Sequence, residues 1–437
     1  MKEYSYWLDT LPDQRLGTEN SPALSHQPSA LPLRSDVLII GAGYTGLAAA
    51  RRLAKSGASV VVLERERVGW GASSRNGGQV LTGLKRDSAT LIAQYGEARA
   101  RQLFDMAEQS VAQVEALIAQ EQIDCDFART GHLQAACKPT HFAGFRTEQA
   151  LLARVFAHRV ELVSRAEQRS EIGTDRYHGV MVDERSAAIN PARFVHGLAA
   201  AAVRAGASIA TGVAVTGVQR ESNGWRVATS VAGETVEIVA RDVLVATNGY
   251  TGAATPALRR RLVPIGSYII ATEPLSPQQA AAILPKRRMA FDSKHFLYYF
   301  RVTPDRRLLF GGRAEFTEPA ANTTRRAAAI LRQGMSDAFP ELAAARIDYA
   351  WGGNVAFTRD QMPHAGLIDG MFYAGGYCGH GIAMATHLGD AIAARMAGGP
   401  AAHPLFDDRF PPIPLYTGRP WFLPLVGTYY KALDWFT

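Results

Sequence analysis

One stretch of six residues limits the possible folds of this chain more than any other. Gly41-Ala42-Gly43-Tyr44-Thr45-Gly46 follows the apolar run Val37-Leu38-Ile39-Ile40 and opens the Ala- and Leu-rich segment Thr45 to Ser56, which Gly57 closes. An apolar run without alternation reads as a parallel strand buried on both faces. The Ala-rich segment reads as a helix with glycine just past its end. A second run, Ser59 to Leu63, then reaches Glu64. Strand, glycine turn, helix, strand and acid in register over about 30 residues make a dinucleotide-binding βαβ unit. Gly41 permits the tight turn, Gly43 lets backbone approach a pyrophosphate, and Gly46 lets helix and strand pack closely. The helix N-terminus at Tyr44 and Thr45 offers free amides and partial positive charge to phosphates, and Glu64 can accept ribose hydroxyls.

The next segment selects the dinucleotide. Residues 65–80 are dense in small and hydrogen-bonding side chains. Arg65, Ser73, Ser74, Asn76, Gly78, Gln79 and Val80 are the expected contacts of a loop that runs beside a pyrophosphate and reaches an isoalloxazine ring. A nicotinamide domain more often continues directly into its next βα unit, so FAD is expected; the alternative is an ordinary polar surface loop.

At 437 residues the chain exceeds what one core usually supports, and two domains are expected. Residues 1–34 hold Pro12, Pro22, Pro28 and Pro32 among polar residues and read as an extended arm anchored by Tyr6 and Trp7. Residues 87–121 show helical apolar spacing, and Pro191 starts another helix. Strands are expected at 207–218, 224–230, 242–247, 264–272, 295–303 and 307–312. A buried strand from Gly370, a glycine-rich turn and an apolar helix from Ile382 to Met396 return to the texture of the first unit. The expected class is therefore α/β: a discontinuous Rossmann-type FAD-binding domain (35–85, 180–255 and 345–405) with an inserted α+β substrate domain built on an antiparallel sheet (86–179 and 256–344). The aromatic tail, 406–437, is expected to pack across the cofactor domain; a membrane or a partner subunit are the other readings.

Charge and cysteine content narrow the class. The formal charge is +7, but Lys and Arg are scattered among Asp and Glu, so no nucleic-acid stripe is indicated. Cys125, Cys137 and Cys378 lack zinc-site spacing and cannot all pair within one chain. No metal site is expected. A reducing, cytoplasmic setting is expected from those cysteines; the first residues lack a signal pattern, and no apolar window is long enough to span a membrane.

Several segments together resemble the D-amino-acid-oxidase-like flavoprotein superfamily: the glycine turn, Gly69 to Gln79, Tyr299 to Gly312, Trp351-Gly352-Gly353 and Gly376 to Gly381. The resemblance spans roughly residues 4 to 405 and is strongest to the branch that oxidises γ-glutamylputrescine. It implies oxidation of a small amine to an imine that water hydrolyses to the aldehyde, with the cofactor reoxidised by oxygen or another acceptor. It also implies adenine-side contacts at Val213, pyrophosphate-side contacts at Gly249, and a helix N-terminus at Gly376, Gly379, His380, Gly381 and Ile382 aimed at the flavin. Gly249 as a mere turn residue, and His380 as an ordinary helix cap, are the alternatives. Secondary-amine or amino-acid oxidation, a flavoprotein domain in tRNA modification, and a non-catalytic flavin-binding subunit remain open.

For the substrate pocket the expected residues are Tyr298, Tyr299 and Arg301. Strand alternation lets only one tyrosine of the pair face a cavity; Tyr299 aligns with active-site tyrosines of sarcosine-oxidase relatives, and core packing is its alternative role. Tyr299, His380 and His295 are the expected catalytic residues, the histidines as candidate bases for the substrate ammonium. The chain departs from sarcosine oxidases in two places. Val355 stands where they attach flavin to cysteine, so noncovalent FAD is expected. Leu309-Phe310-Gly311 occupies the segment of their oxygen-activating lysine, leaving Lys294 or Arg313 as substitutes, or a different electron acceptor.

Overall fold

The computed structural model describes residues 1–11, 24–25, 31–312, 322–400 and 402–436. Two large sheets organise them. The first has nine strands. Its parallel centre runs Leu24–Ser25, Ser208–Ala210, Val60–Leu63, Arg34–Ile40 and Glu234–Val245, with Met371–Gly375 also parallel to the last. Val37 to Ile40 are buried on both faces, and the strand alternation divides them between two cores. Val37 and Ile39 pack with the helices, whereas Leu38 and Ile40 pack against the antiparallel strands Val213–Glu221 and Gly224–Val231.

Two helices cover the centre of that sheet. Tyr44–Lys55 packs closely against Gly381–Met396, because Gly389 presents no side chain where a Cβ would lie 2.3 Å from the Thr45 carbonyl oxygen. Ser88–Glu121 is the long helix expected from its apolar spacing. Asp87 caps it through a 2.8 Å bond from the Thr90 amide, and Gly96, at φ +75°, breaks its regularity.

The second sheet has eight strands in the order Ile347–Phe357, Val263–Thr272, Leu308–Gly312, Tyr298–Val302, Met289–Asp292, His132–Ala135, Val180–Asp183, Glu161–Val163. All its pairings are antiparallel except that of Met289–Asp292 with His132–Ala135. Alternation gives it two unlike faces. Leu133, Val182, Ala290, Phe300 and Phe310 enter a core shared with helix Thr323–Ala338. His132, Gln134, Met181, Asp183, Phe291 and Tyr299 face a cavity. The expected boundaries at 180 and 345 cut through this sheet: both flanking strands hydrogen-bond into it, because pairing, not sequence proximity, sets sheet membership.

Both termini differ in part from expectation. Tyr6–Asp9 forms a helical turn rather than an extended arm, and Tyr6, Trp7 and Leu8 bury against Ile269, Leu309 and Trp351, closing the end of the cavity-side face. Pro12, Pro22 and Pro28 lie outside the described residues. The tail divides: Phe406 and Phe410 pack on the cofactor domain as expected, at Ala365, His364 and Tyr373, whereas Leu423 of the final helix Leu423–Phe436 packs on Val263 and Ile265 of the substrate sheet. Asp434 of that helix accepts from the His295 and Phe296 amides at 2.8 and 3.0 Å. Among the described residues, no helix is long and apolar enough to cross a membrane.

Candidate active site

A single cavity of about 930 Å³ runs from the glycine turn to the eight-stranded sheet. At the turn, Gly41 takes φ +106°, and a Cβ there would meet the Ala246 carbonyl oxygen at 3.0 Å. A Cβ on Gly46 would lie 2.0 Å from the Gly41 carbonyl oxygen, so glycine is required for the helix to leave the strand this tightly. Glu64 stands at the end of its strand and accepts from the Ala42 and Glu66 amides at 2.9 and 3.0 Å. These bonds fix the carboxylate on the cavity wall; with roughly four acceptor sites, it keeps capacity for ribose hydroxyls.

The loop after Glu64 is held from behind by a dense set of bonds. Tyr44 donates its hydroxyl to the Ser73 carbonyl at 2.6 Å, and the Ser73 hydroxyl accepts from the Tyr44 amide at 3.2 Å. The Asn76 amide group donates to the Ala72 carbonyl at 3.0 Å, while its oxygen accepts from the Gly78 amide at 2.9 Å. Trp7 and Trp351 donate their indole N–H groups to the Asn76 and Arg75 carbonyls at 2.8 and 2.9 Å. Three elements distant in sequence thus hold one loop.

The cavity wall includes Gly41, Gly43, Tyr44, Thr45, Glu64, Arg65, Ser73, Asn76, Gln79, Val213, Gly249, Gly379, His380, Gly381 and Ile382. The structure places five other expected cofactor residues behind the wall. Gly46 makes the helix–strand contact. Ser74 is fully buried and donates to the Gly69 carbonyl at 2.7 Å. Gly78, at φ +70°, abuts the Ile189 carbonyl, and Val80 is fully buried in the core. Gly376 turns the chain after Met371–Gly375 and packs on Thr358 and Leu262. Each shapes the wall without forming it.

The substrate-side expectations separate in the same way. Tyr299 lies on the cavity face; a Cβ on Gly77 of the loop would be 3.1 Å from its ring, and its hydroxyl is 3.1 Å from the Ser267 hydroxyl. Tyr298 faces the opposite side, against Phe310, Gly312 and Gly334, as alternation requires. Arg301 is not a pocket residue. It is buried beneath the loop, donating to the Gly78 and Ile189 carbonyls at 2.8 and 2.9 Å, and burial lowers its pKa to about 10. Strand alternation puts it on the Tyr299 side, but the N-terminal turn covers that end of the face: Trp7 lies 5.6 Å from its guanidinium.

His380 precedes helix Gly381–Met396, lines the cavity, and has its Nδ1 buried without a hydrogen-bond partner. Desolvation first, then the charges of Lys85 and His132, push its pKa down to about 3, so the imidazole is neutral at neutral pH. His295 sits at the cavity margin, nearly half exposed, bonded through Nδ1 to Asp434 at 2.9 Å and stacked on Tyr430. Lys294 pairs with the buried Asp292 at 3.0 Å and lies 4.0 Å from the Tyr298 ring centre; Arg313 lies outside the described residues. Sequence reasoning missed His132, Gln134, Met181, Asp183 and Phe291, which reach the cavity only because strand pairing brings them there. The alternation of His132 and Gln134 with Leu133 and Ala135 was the available signal.

The wall suits an FAD. The glycine turn leaves space that a Cβ would fill, the Glu64 carboxylate is fixed beside it, and the N-terminal turn of helix Gly381–Met396 faces the same cavity. Comparison with known proteins agrees. Residues 36–395 match the family described as FAD dependent oxidoreductase, DAO. The chain is 33% identical over 407 residues to a γ-glutamylputrescine oxidoreductase of Escherichia coli strain K12, covering 91% of this chain and 92% of the relative. It is 31% identical over 411 residues to a probable oxidoreductase, OrdL, of Haemophilus influenzae, covering 92% of each. Among solved structures, glycine oxidase from Geobacillus kaustophilus superposes with a TM-score of 0.70 at 21% identity, covering 85% of this chain and 96% of that one. With turn, acid, loop and second helix around one cavity, and with these matches, the chain belongs to the DAO family of FAD-dependent oxidoreductases.

Proposed function

We propose that this enzyme oxidises a small primary amine, with a γ-glutamylputrescine-like substrate favoured, in the cytoplasm. The observation that carries the reading is the position of Tyr299: an aromatic ring on the cavity face, against the loop that would hold the flavin. Its face suits a cationic amine, a contact worth roughly 1 kcal/mol or more once desolvated. The named activity of the Escherichia coli relative supports the same substrate class.

FAD, when bound, supplies the capacity to accept a hydride equivalent from the carbon bearing the amine. The residues of the chain do the rest. Gly41, Gly43 and the amides opening helix Tyr44–Lys55 receive the pyrophosphate, and Glu64 receives the adenosine ribose. The N-terminus of helix Gly381–Met396 places partial positive charge where negative charge grows. Neutral His380 adds no competing cation against the substrate ammonium. Noncovalent attachment is part of the proposal, because Val355 lines the cavity where a cysteine would be needed.

Anaerobic mixing with a panel of amines and amino acids tests the reading. Bleaching of the oxidised flavin by γ-glutamylputrescine or a close analogue is expected; a spectrum unchanged by every compound overturns it. Readmitting oxygen and assaying peroxide identifies the acceptor. Acid precipitation should release all the FAD into the supernatant.

A further inference from the structure

His132 stands on the cavity face of the eight-stranded sheet, stacked on Phe291 with 5.3 Å between ring centres. Behind it runs a buried chain of hydrogen bonds. His132 Nδ1 is 2.7 Å from the Ser186 hydroxyl, which is 3.5 Å from the Thr82 hydroxyl, which donates to Asp183 Oδ2 at 2.6 Å. Ser186 also accepts from the Thr82 amide at 3.1 Å. His158 Nε2 contacts the same carboxylate oxygen at 2.7 Å.

Donor chemistry fixes the far end of this chain. An ionised carboxylate only accepts, so Thr82 must donate to Asp183. Thr82 is then left to accept, and when Ser186 donates to it across the 3.5 Å contact, Ser186 accepts from His132. In that arrangement His132 Nδ1 carries the proton, and Nε2 keeps a lone pair toward the cavity.

We propose that His132 is the base that takes the proton from the bound amine, with Ser186, Thr82 and Asp183 fixing its tautomer and balancing the charge it acquires. This rests on the amine-oxidation reading above. In the step, one N–H bond of the substrate ammonium breaks with its electron pair left on nitrogen, and an N–H bond forms at His132 Nε2. The free amine then has the lone pair that hydride departure requires, and the imidazolium returns its proton to solvent after turnover.

The other cavity histidines are less suited: His141 has its Nδ1 bonded to the Ser293 hydroxyl at 2.5 Å, with no carboxylate in that link. His380 lacks a carboxylate behind it and already meets the charges of Lys85 and His132. His295 is engaged by Asp434 at the margin, and His158 is 1% exposed. The groups acting on His132 are Asp183, which favours its charged form, and His158 and Arg288, which oppose it; burial opposes it most. Asp183 is able to balance that charge because it stays ionised. Burial alone would raise its carboxyl, but the His158 bond, the charges of His132 and His158, and the Thr82 bond hold it well below the usual range.

Thr82→Val and His132→Asn test the proposal through the pH dependence of anaerobic flavin reduction. Each should slow reduction about a hundredfold near neutrality, the usual size of a general-base contribution. Each should also regain most of that loss as pH approaches the pKa of the substrate amine, which then arrives unprotonated. A purely structural role would not give that recovery. Variants that keep the wild-type profile, or stay slow at high pH with full FAD content, overturn the proposal. The tautomer is read separately by nitrogen-15 shifts in histidine-labelled holoprotein. The Nδ1–H form is expected at His132, giving way to a mixture in Thr82→Val; an Nε2–H form in the wild type overturns the assignment even if no amine reduces the flavin, the result that would count against the amine reading itself.

Discussion

At the scale of single residues, the wall of the cavity is set by groups whose partners are already fixed. Glu64 is oriented by two backbone amides, so Glu64→Gln should keep the fold but weaken FAD binding by about 1.5–3 kcal/mol, the worth of a hydrogen bond to a charged group, which is roughly ten- to hundredfold in Kd by fluorescence titration. Arg301 contrasts with it. Since it secures the Gly78 and Ile189 carbonyls from beneath, Arg301→Met should lower the melting temperature and FAD content and leave KM for amine near wild type. A large KM change with full FAD content would return Arg301 to the pocket. Acid sensitivity follows from buried histidines. Burial, with Lys85 and His132, lowers His380 to about 3; burial, with Arg67, lowers His196 to about 4. Between those values and about 6.5 the unfolded chain binds protons that the folded chain refuses, so stability falls as pH drops through that window. Urea midpoints measured from pH 7 to pH 5 should decline, and His196→Leu should make the decline shallower.

At the scale of elements, the two helices over the nine-stranded sheet form a unit. Tyr44–Lys55 and Gly381–Met396 meet at Gly389, and the Thr45 hydroxyl lies 2.6 Å from that of Tyr377 just upstream of the second helix. Both helix N-termini reach the cavity, so their spacing sets the distance between the two ends of the cofactor site. Gly389→Ala should cost about 1–3 kcal/mol by overpacking and reduce FAD retention in gel filtration. A variant as stable and as yellow as the wild type would show that the helices can part without consequence. The βαβ unit, the long helix and the closing helix were all legible as sequence, because each buries a stripe or run of its own residues. The helical turn at Tyr6–Asp9 was not, since its four residues are too few for a period and are held by Trp7 and its tertiary neighbours.

At the scale of the molecule, the two ends of the chain complete a site that the middle builds. The N-terminal turn covers one end of the cavity face, and the C-terminal helix lies at its margin, with Asp434 bound to His295 and Phe296. Asp434→Ala should free that helix and raise KM for amine while flavin content holds; an unchanged KM would make the contact incidental. The scattered charge predicts that added tRNA gives no binding that weakens steeply with salt, the observation that separates amine oxidation from an RNA-modifying role.

The sequence by itself determined the nucleotide-binding unit, because strand, turn, helix and acid are neighbours along the chain and their physics is local. It also determined that only one tyrosine of the pair faces inward, since alternation on a strand is a local rule; the choice of Tyr299 came from the family resemblance. Only the tertiary structure decided that Arg301 supports the loop, that Ser74, Gly78, Val80 and Gly376 stand behind the wall, and that His132 and Asp183 share the cavity side. Those outcomes depend on which strands pair and what covers each face; alternation within a strand marks two unlike faces but does not say which strand lies beside it or what covers it.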